Sequence, residues 1–146
     1  LKIISQLTLI TGVRIIKVVA CILKKQKRIL ISSRPKHKEF PGFYEFPGGK
    51  VEKKEFFLTA LKRELFEELS IIIDLNTVIF LKDYSIFRDN KKILLNFFVC
   101  YQWLGEIKPK ESQFFKWTTV NKLKNEKMLT SNKKIIDYLK INFSTN

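Results

Sequence analysis

Three glutamates, Glu64, Glu67 and Glu68, lie close together in the middle of the chain. The spacings i, i+3 and i+4 place them on one side of a predicted helix, where like charges repel by about 0.2–0.5 kcal/mol per pair. The chain has 28 Lys and Arg residues against 14 Asp and Glu, so this concentration of acid stands out. Mg²⁺ takes oxygen ligands from carboxylates, water and substrate phosphates. The cluster therefore indicates a divalent-cation site beside a phosphorylated substrate, with a solvated acidic helix face as the alternative.

The helix that carries these glutamates is predicted from the spacing of leucines. They recur every three or four residues and form one apolar stripe: Leu58, Leu61, Leu65 and Leu69. At about 100° per residue, the glutamates occupy the arc beside this stripe. We therefore expect a helix from about residue 54 to residue 69, with one face in the core and the next face holding the cation.

Two glycines precede this helix in the run Glu45-Phe46-Pro47-Gly48-Gly49, where a bare backbone can turn tightly and approach a ligand. From there the sequence resembles the Nudix box, Gly-x5-Glu-x7-Arg-Glu-U-x-Glu-Glu-x-Gly-U, in which U is aliphatic. The matching residues are Gly49, Glu55, Arg63, Glu64, Leu65, Glu67, Glu68 and Ile71. Ser70 replaces the family's last glycine. A glycine there would end the helix in a left-handed conformation, which costs a residue with a Cβ about 1 kcal/mol, so Ser70 leaves the local stability and the geometry of the helix end open.

Segments on both sides of the box resemble the MutT-like branch of the Nudix hydrolase family, so that the resemblance covers residues 15 to about 141. Arg34 precedes Glu45 by eleven residues, where the branch has an arginine. The run Lys110-Glu111-Ser112-Gln113, followed by Trp117, resembles a loop that supplies a further metal carboxylate. Ser131-Asn132 resembles the segment whose asparagine reads the purine edge.

The resemblance implies a role for each of these residues. Mg²⁺, with Mn²⁺ as a substitute, would be held by the Gly48 carbonyl and by Glu64, Glu67, Glu68 and Glu111, and would lower the pKa of an attacking water. Glu64 or Glu111 would orient or deprotonate that water. Arg63 completes the catalytic group and, with Glu55 and Gly49, would hold the helix and loop in place. The implied substrate contacts are Arg34, Glu45, Phe46, Lys50, Phe87 and Asn132.

Several of these residues also have a plain interpretation from their type alone. Arg34 would be a surface cation, Glu111 a solvated loop acid, and Asn132 a helix cap. Phe87 and Ile93 would line the base pocket, but such residues in strands also form core. These alternatives stay open at the level of sequence.

Composition narrows the class of protein. A chain of 146 residues that is 45% hydrophobic and 13% aromatic suits one domain, with residues 1–13 as a possible extension outside it. Cys21 and Cys100 lie in apolar runs and are expected to be buried free thiols, which argues against a disulfide framework. His37 is the sole histidine and is expected in an exposed loop. Without a second histidine or a Ser or Cys partner, no covalent nucleophile is predicted.

The charge pattern bears on partners and location. Arg14 and Lys17 interrupt the apolar first 23 residues, so no signal peptide is expected, and no uncharged apolar run reaches about 18 residues. The net charge of +14 would suit nucleic acid at the cluster from Lys24 to Arg28, but a solvated turn is the preferred interpretation. We expect a cytoplasmic monomer without a membrane or stable nucleic-acid partner, whose basic surface steers an anionic nucleotide.

The remaining pattern predicts an α/β fold, a Nudix-type α/β/α sandwich with a mixed β-sheet between helices. A hairpin is expected from strands 15–23 and 28–33, followed by a loop over residues 35–49. Later strands are expected at residues 71–84, 92–103 and 114–117, and a second helix at residues 131–141.

These features together predict a Mg²⁺-dependent nucleoside triphosphate pyrophosphohydrolase. By resemblance, its substrate is 8-oxo-dGTP, which it would convert to 8-oxo-dGMP and pyrophosphate, cleaning the nucleotide pool and protecting DNA replication. One alternative is another Nudix activity, on ADP-ribose, dinucleoside polyphosphates or capped RNA. The other is a noncatalytic nucleotide- or RNA-binding module, against which the intact glutamate cluster argues.

Overall fold

The computed structural model describes residues 12–143. Its strands are β1 (Arg14–Lys25), β2 (Arg28–Ser33), β3 (Tyr44–Glu45), β4 (Gly48–Lys50), β5 (Ile72–Ile73), β6 (Val78–Arg88), β7 (Lys91–Cys100), β8 (Trp103–Leu104) and β9 (Phe115–Thr119). Its α-helices are α1 (Phe57–Leu69) and α2 (Lys133–Phe143), and short 3₁₀ turns occupy Leu75–Thr77, Val120–Asn125 and Thr130–Asn132. Within this range, every helix is too short or too polar to cross a membrane.

A mixed sheet of seven strands lies at the centre of the described region. Its main order is β3-β2-β1-β7-β6, with β4 paired to β1 and β9 paired to β2. β1 and β7 run parallel, from Arg14 opposite Lys91 to Leu23 opposite Cys100. The other pairs of this sheet are antiparallel. β5 and β8 form a separate two-stranded sheet.

β1 reads as a nearly continuous apolar run because both faces of the sheet are covered around it. Val19, Cys21 and Leu23 join the core under α1. Ala20 and Ile22 alternate with them and join the core under α2. The fold is therefore a helix–sheet–helix sandwich, and the predicted α/β class is confirmed.

The structure corrects several details of the predicted elements. The single strand expected at residues 71–84 is divided into β5 and β6 by the 3₁₀ turn at Leu75–Thr77. α1 begins at Phe57 rather than near Lys54, because Lys54 has φ of +64° and cannot belong to a right-handed helix. Leu58 is 39% exposed and lies outside the core, so the buried stripe of α1 begins at Ala60. The predicted loop over residues 35–49 contains β3 and β4, whose two and three residues are too few to show the period of a strand.

Several local expectations hold. The thiols of Cys21 and Cys100 are buried and free, and His37 is exposed. The turn between β6 and β7 uses Asp89 and Asn90 at φ of +49° and +58°, a conformation that Asp and Asn tolerate better than most residues.

Ser70 ends α1 in the left-handed conformation that the family's glycine would adopt, with φ of 64° and ψ of 23°. Its N–H donates to the Phe66 carbonyl oxygen at 3.0 Å. Its hydroxyl donates to the Lys108 carbonyl oxygen at 3.3 Å, which is a long contact. The helix end is thus correctly formed but carries the strain of a Cβ.

We expect Ser70→Gly to raise the free energy of unfolding by about 0.5–1 kcal/mol, because glycine adopts positive φ without strain. Urea denaturation of the variant and the wild type measures this difference. Ser70→Ala is the matched control, since it keeps the Cβ and removes only the hydroxyl, and it should be no more stable than the wild type. Equal stability of the Gly variant and the wild type would contradict the strained helix end.

Candidate active site

Gly48 and Gly49 allow β4 to lie close to two other parts of the molecule. They pair with Ala20 and Val19 of β1. A Cβ built on Gly48 would lie 2.0 Å from the Val19 carbonyl oxygen, and one built on Gly49 would lie 2.3 Å from the Glu64 carboxyl carbon. Glycine at position 48 therefore makes room for the backbone of β1, and glycine at position 49 makes room for the carboxyl group of a glutamate of α1.

Glu68 is the most deeply buried of the three clustered glutamates, with 7% of its surface exposed. Its Oε2 accepts a hydrogen bond from the Gly48 N–H at 3.1 Å. Burial raises the pKa of Glu68 to about 8, helped by the nearby charges of Glu45 and Glu111 and opposed by the charge of Lys38. A buried carboxyl group among other acids is an environment that a bound cation stabilises.

Arg63 connects α1 to the loop that precedes it. Its guanidinium donates to both carboxylate oxygens of Glu55, at 2.8 and 2.9 Å, and to the Lys50 carbonyl oxygen at 3.0 Å. It also donates to Glu64 Oε1 at 2.8 Å and to Glu67 Oε2 at 3.3 Å. These bonds lower the pKa of Glu55 to about 2 and raise the pKa of Arg63. This geometry supports the predicted role of Arg63 and Glu55 in positioning the helix.

Arg34 and Glu45 form a second ion pair, close enough for the charge of Glu45 to act on Glu68. Arg34 Nη1 lies 3.0 Å from Glu45 Oε2, and Glu45 is placed by the pairing of β3 with β2. Burial raises the pKa of Glu45, and the neighbouring Arg34 charge opposes that rise. The Arg34 side chain is therefore anchored rather than free in solvent.

Glu111 reaches this region because its loop is attached to the end of α1. The Lys110 N–H donates to the Glu68 carbonyl oxygen at 2.9 Å, and Gln113 Nε2 contacts the same oxygen at 3.3 Å. The Glu111 N–H donates to Gln113 Oε1 at 2.8 Å. The buried Gln113 thus fixes the loop so that Glu111 lies near Glu68.

A cavity of about 650 Å³ opens beside these groups, a size typical of small-molecule sites. It brings together ten of the predicted site residues: Arg34, Glu45, Phe46, Gly48, Gly49, Lys50, Glu64, Glu67, Glu111 and Asn132. A second cavity of about 400 Å³, between β1 and residues 50–55, contains none of the predicted metal ligands. The larger cavity is therefore the candidate active site.

Phe87 is not brought into this cavity. It is 72% exposed, while Ile86 and Arg88 line the cavity wall. Successive residues of a strand face opposite sides, so Phe87 points away where its two neighbours point inward. Ile93, on the adjacent strand β7, does line the cavity, in agreement with the first of its two interpretations, that of a pocket residue.

Asn132 lines the same cavity from the segment that precedes α2. It is 6% exposed, and its Nδ2 is the buried side-chain atom without a hydrogen-bond partner among residues 12–143. The Tyr84 hydroxyl donates to the Ser131 carbonyl oxygen at 2.7 Å and so holds this segment. An unpaired buried amide costs about 1–3 kcal/mol, which a ligand acceptor would recover.

The predicted metal ligands fit a divalent cation by their chemistry, since they are the carboxylate oxygens of the glutamates and the Gly48 carbonyl oxygen. Within residues 12–143, no three acidic, His or Cys side chains already converge as a metal-binding group. Arg63 holds Glu64 and Glu67, and Lys38 Nζ lies 3.6 Å from Glu111 Oε2. These pairs each use one oxygen of the carboxylate, so a cation that takes the same oxygen would displace the present partner, and one that takes the other oxygen would compete with its charge.

We expect the metal-free protein to become less stable as the pH rises from about 5 to 8. The pKa of Glu68 is raised from 4.5 to about 8, so in this window the folded state keeps a proton that the unfolded chain has released. Thermal denaturation in EDTA at several pH values measures the decline. Glu68→Gln should reduce the decline and Glu106→Gln, at an exposed site, should not; equal pH profiles for the wild type and Glu68→Gln would contradict the assignment.

Comparison with known proteins gives a consistent result. Residues 13–139 match the NUDIX domain family. The 8-oxo-dGTP diphosphatase of Buchnera aphidicola subsp. Schizaphis graminum is 38% identical over 119 residues, 82% of this chain and 88% of that protein. The CTP pyrophosphohydrolase of Escherichia coli K12 is 47% identical over 58 residues, 40% of this chain and 43% of that protein. A MutT structure from work on Aliivibrio salmonicida and Vibrio cholerae has a TM-score of 0.76 at 30% identity, covering 89% of this chain and 100% of that one.

Proposed function

The chain belongs to the NUDIX domain family, and we propose that it is a Mg²⁺-dependent hydrolase that converts 8-oxo-dGTP to 8-oxo-dGMP and pyrophosphate. One observation carries the proposal: the same cavity is lined by Glu64 and Glu67 of the box, by Glu111, and by Asn132, whose buried Nδ2 has no hydrogen-bond partner in the described part of the chain. Relatives that bear the name 8-oxo-dGTP diphosphatase support the choice of substrate. In this proposal, the protein acts as a monomer on the nucleotide pool of the cytoplasm.

The acidic end of the cavity would carry out the chemistry. When bound, Mg²⁺ supplies neutralisation of the phosphate oxygens and a lower pKa for the attacking water. Its ligands would be the Gly48 carbonyl and the carboxylates of Glu64, Glu67, Glu68 and Glu111. Glu64 or Glu111 would accept the proton of the water. Burial raises the pKa of Glu64 while the Arg63 hydrogen bond opposes that rise, so the environment of this candidate base differs from that of a solvated glutamate.

The basic and polar groups of the cavity would position the substrate. Arg34 and Lys50 carry the positive charge that phosphate oxygens require, and Phe46 lines the same cavity. The Asn132 amide offers both a donor and an acceptor, which matches the paired acceptor and donor groups on the edge of an oxidised guanine.

A panel of substrates tests this proposal. Steady-state kinetics with 8-oxo-dGTP, dGTP, CTP and ADP-ribose, each with and without Mg²⁺, should give the highest kcat/KM for 8-oxo-dGTP and no turnover in EDTA. The products should be the nucleoside monophosphate and pyrophosphate rather than orthophosphate. Rates on ADP-ribose that equal or exceed those on 8-oxo-dGTP would reject the substrate, and hydrolysis without a divalent cation would reject the metal assignment.

CTP hydrolysis is a second candidate, because a CTP pyrophosphohydrolase shares 47% identity with 58 residues of this chain. Both reactions would use the same carboxylates and differ only in the base. The same panel separates them, since CTP would then be the preferred substrate.

Asn132→Ala should separate base recognition from catalysis. We expect kcat/KM for 8-oxo-dGTP to fall by about 10–100-fold, the usual cost of losing a paired buried hydrogen bond to a substrate. Because Nδ2 has no protein partner, the thermal stability of the variant should stay close to that of the wild type. Asn121→Ala, at an exposed position, is the matched control. Unchanged discrimination between 8-oxo-dGTP and dGTP would remove Asn132 from the base site.

A further inference from the structure

Lys38 lines the same cavity, yet neither the box nor the segments around it give this residue a role. We propose that Lys38 is a phosphate-positioning residue that exchanges partners: it neutralises Glu111 in the metal-free protein and binds a substrate phosphate when the metal takes Glu111. This inference rests on the proposed function and deepens it.

The loop that carries Lys38 is fixed at its base. The Arg34 N–H donates to the Phe43 carbonyl oxygen at 2.8 Å, and the Gly42 N–H donates to the Arg34 carbonyl oxygen at 3.1 Å. Within the loop, the Lys38 N–H donates to the Pro35 carbonyl oxygen at 3.1 Å and closes a turn. These bonds hold the backbone at Lys38 beside the cavity, so its long side chain projects from a defined point.

The ammonium group of Lys38 lies among the carboxylates of the site. Its Nζ is 3.6 Å from Glu111 Oε2, and its charge favours the ionised forms of Glu45, Glu64 and Glu68. Other cations already hold two of these acids, because Arg34 pairs with Glu45 and Arg63 pairs with Glu64. Lys38 thus provides positive charge on the side of the site where Glu111 and Glu68 lie.

The contact between Lys38 and Glu111 is weak enough for Lys38 to exchange it for another partner. At 3.6 Å it is longer than a hydrogen bond, and the two side chains are 39% and 35% exposed. A cation bound to Glu111 would repel the ammonium group and neutralise its partner. The polyphosphate of a nucleotide in the same cavity would then offer the ammonium group a new anionic partner. A lysine can reach it because its ammonium group lies at the end of a flexible four-carbon stem. Metal binding by Glu111 and phosphate binding by Lys38 are therefore coupled.

A metal titration tests the first half of the exchange. Calorimetry with Mn²⁺ alone, without nucleotide, should show about three- to tenfold tighter binding to Lys38→Met than to the wild type, because no ammonium group has to be displaced. Lys36→Met is the matched control, since Lys36 is exposed on the same loop and does not line the cavity. Equal or weaker Mn²⁺ binding by Lys38→Met would overturn the proposal.

Kinetics test the second half. For Lys38→Met, we expect KM for the nucleoside triphosphate to rise about tenfold with kcat within about twofold of the wild type, the result of losing a phosphate contact rather than the chemistry. Lys38→Arg should restore most of the KM, because it keeps the charge. An unchanged KM, or a KM that Arg does not restore, would overturn the phosphate role.

The two proposals can fail separately. If the wild type hydrolyses no nucleoside triphosphate, the proposed function is rejected. The Mn²⁺ titration then decides the exchange alone, with tighter binding by Lys38→Met supporting it and equal binding overturning it.

Discussion

Glu68→Gln should lower kcat by about three orders of magnitude or more while the protein stays folded, because it removes a charge from the proposed metal site. Glutamine keeps the volume of the side chain and an oxygen that can accept the Gly48 N–H, which lies 3.1 Å from Glu68 Oε2. It lacks the negative charge that a divalent cation requires. The loss therefore reports on ligation rather than on packing. Glu67→Gln is expected to act in the same direction.

Three measurements separate loss of ligation from loss of fold. Circular dichroism of Glu68→Gln should match the wild type, Mn²⁺ binding should weaken at least tenfold, and the melting temperature in EDTA at pH 8 should not fall. Glu106→Gln, at an exposed position, should behave as the wild type in all three. Full activity in Glu68→Gln would reject the assignment of the box carboxylates to a metal.

Gly48→Ala should lower stability and Gly49→Ala should lower activity, although the two residues are neighbours. The Gly48 Cβ would meet backbone atoms, with the Val19 carbonyl oxygen at 2.0 Å and the Ala20 Cα at 2.7 Å. β4 would have to separate from β1, and we expect a loss of about 3 kcal/mol or more in the free energy of unfolding, or no folded protein. Urea denaturation, or the yield of folded protein, measures this loss.

The Gly49 Cβ would meet only the carboxyl end of Glu64, at 2.3–2.6 Å. That side chain can rotate, so Gly49→Ala should stay folded and lose about 100-fold in kcat because a metal ligand is displaced. Each variant serves as the control for the other. A stable Gly48→Ala, or a Gly49→Ala that either unfolds or keeps full activity, would contradict this division of roles.

The features that could be predicted from sequence are those that local spacing determines. The i, i+3 and i+4 positions of Glu64, Glu67 and Glu68 depend only on helix geometry, and α1 carries them as expected. The end of α1 at Leu69 is also as expected, whereas the left-handed conformation of Ser70 is known only from the structure. The Nudix resemblance, the enzyme class and the α/β fold are confirmed by the comparisons, whereas the individual site roles stay predictions.

The features that sequence did not yield depend on distant contacts. Which face of β6 meets the cavity is set by its register with β7, so alternation alone could not place Phe87 outside and Arg88 inside. No sequence motif marks Lys38, because its proposed role depends on its contact with Glu111, which lies in a loop much later in the chain. Short strands such as β4 exist only because a partner is already present.

The parallel pairing of β1 with β7 also bears on how the chain matures during synthesis. β1 leaves the ribosome before β7, the strand that pairs with it from Arg14 opposite Lys91 onward. Until then this edge of β1 has no partner, and the apolar face at Ile22 waits longer still for α2, which is the kind of surface that holdase chaperones capture and that promotes aggregation. We therefore expect nascent chains halted before residue 91 to depend on chaperones, and completed chains to be released from them.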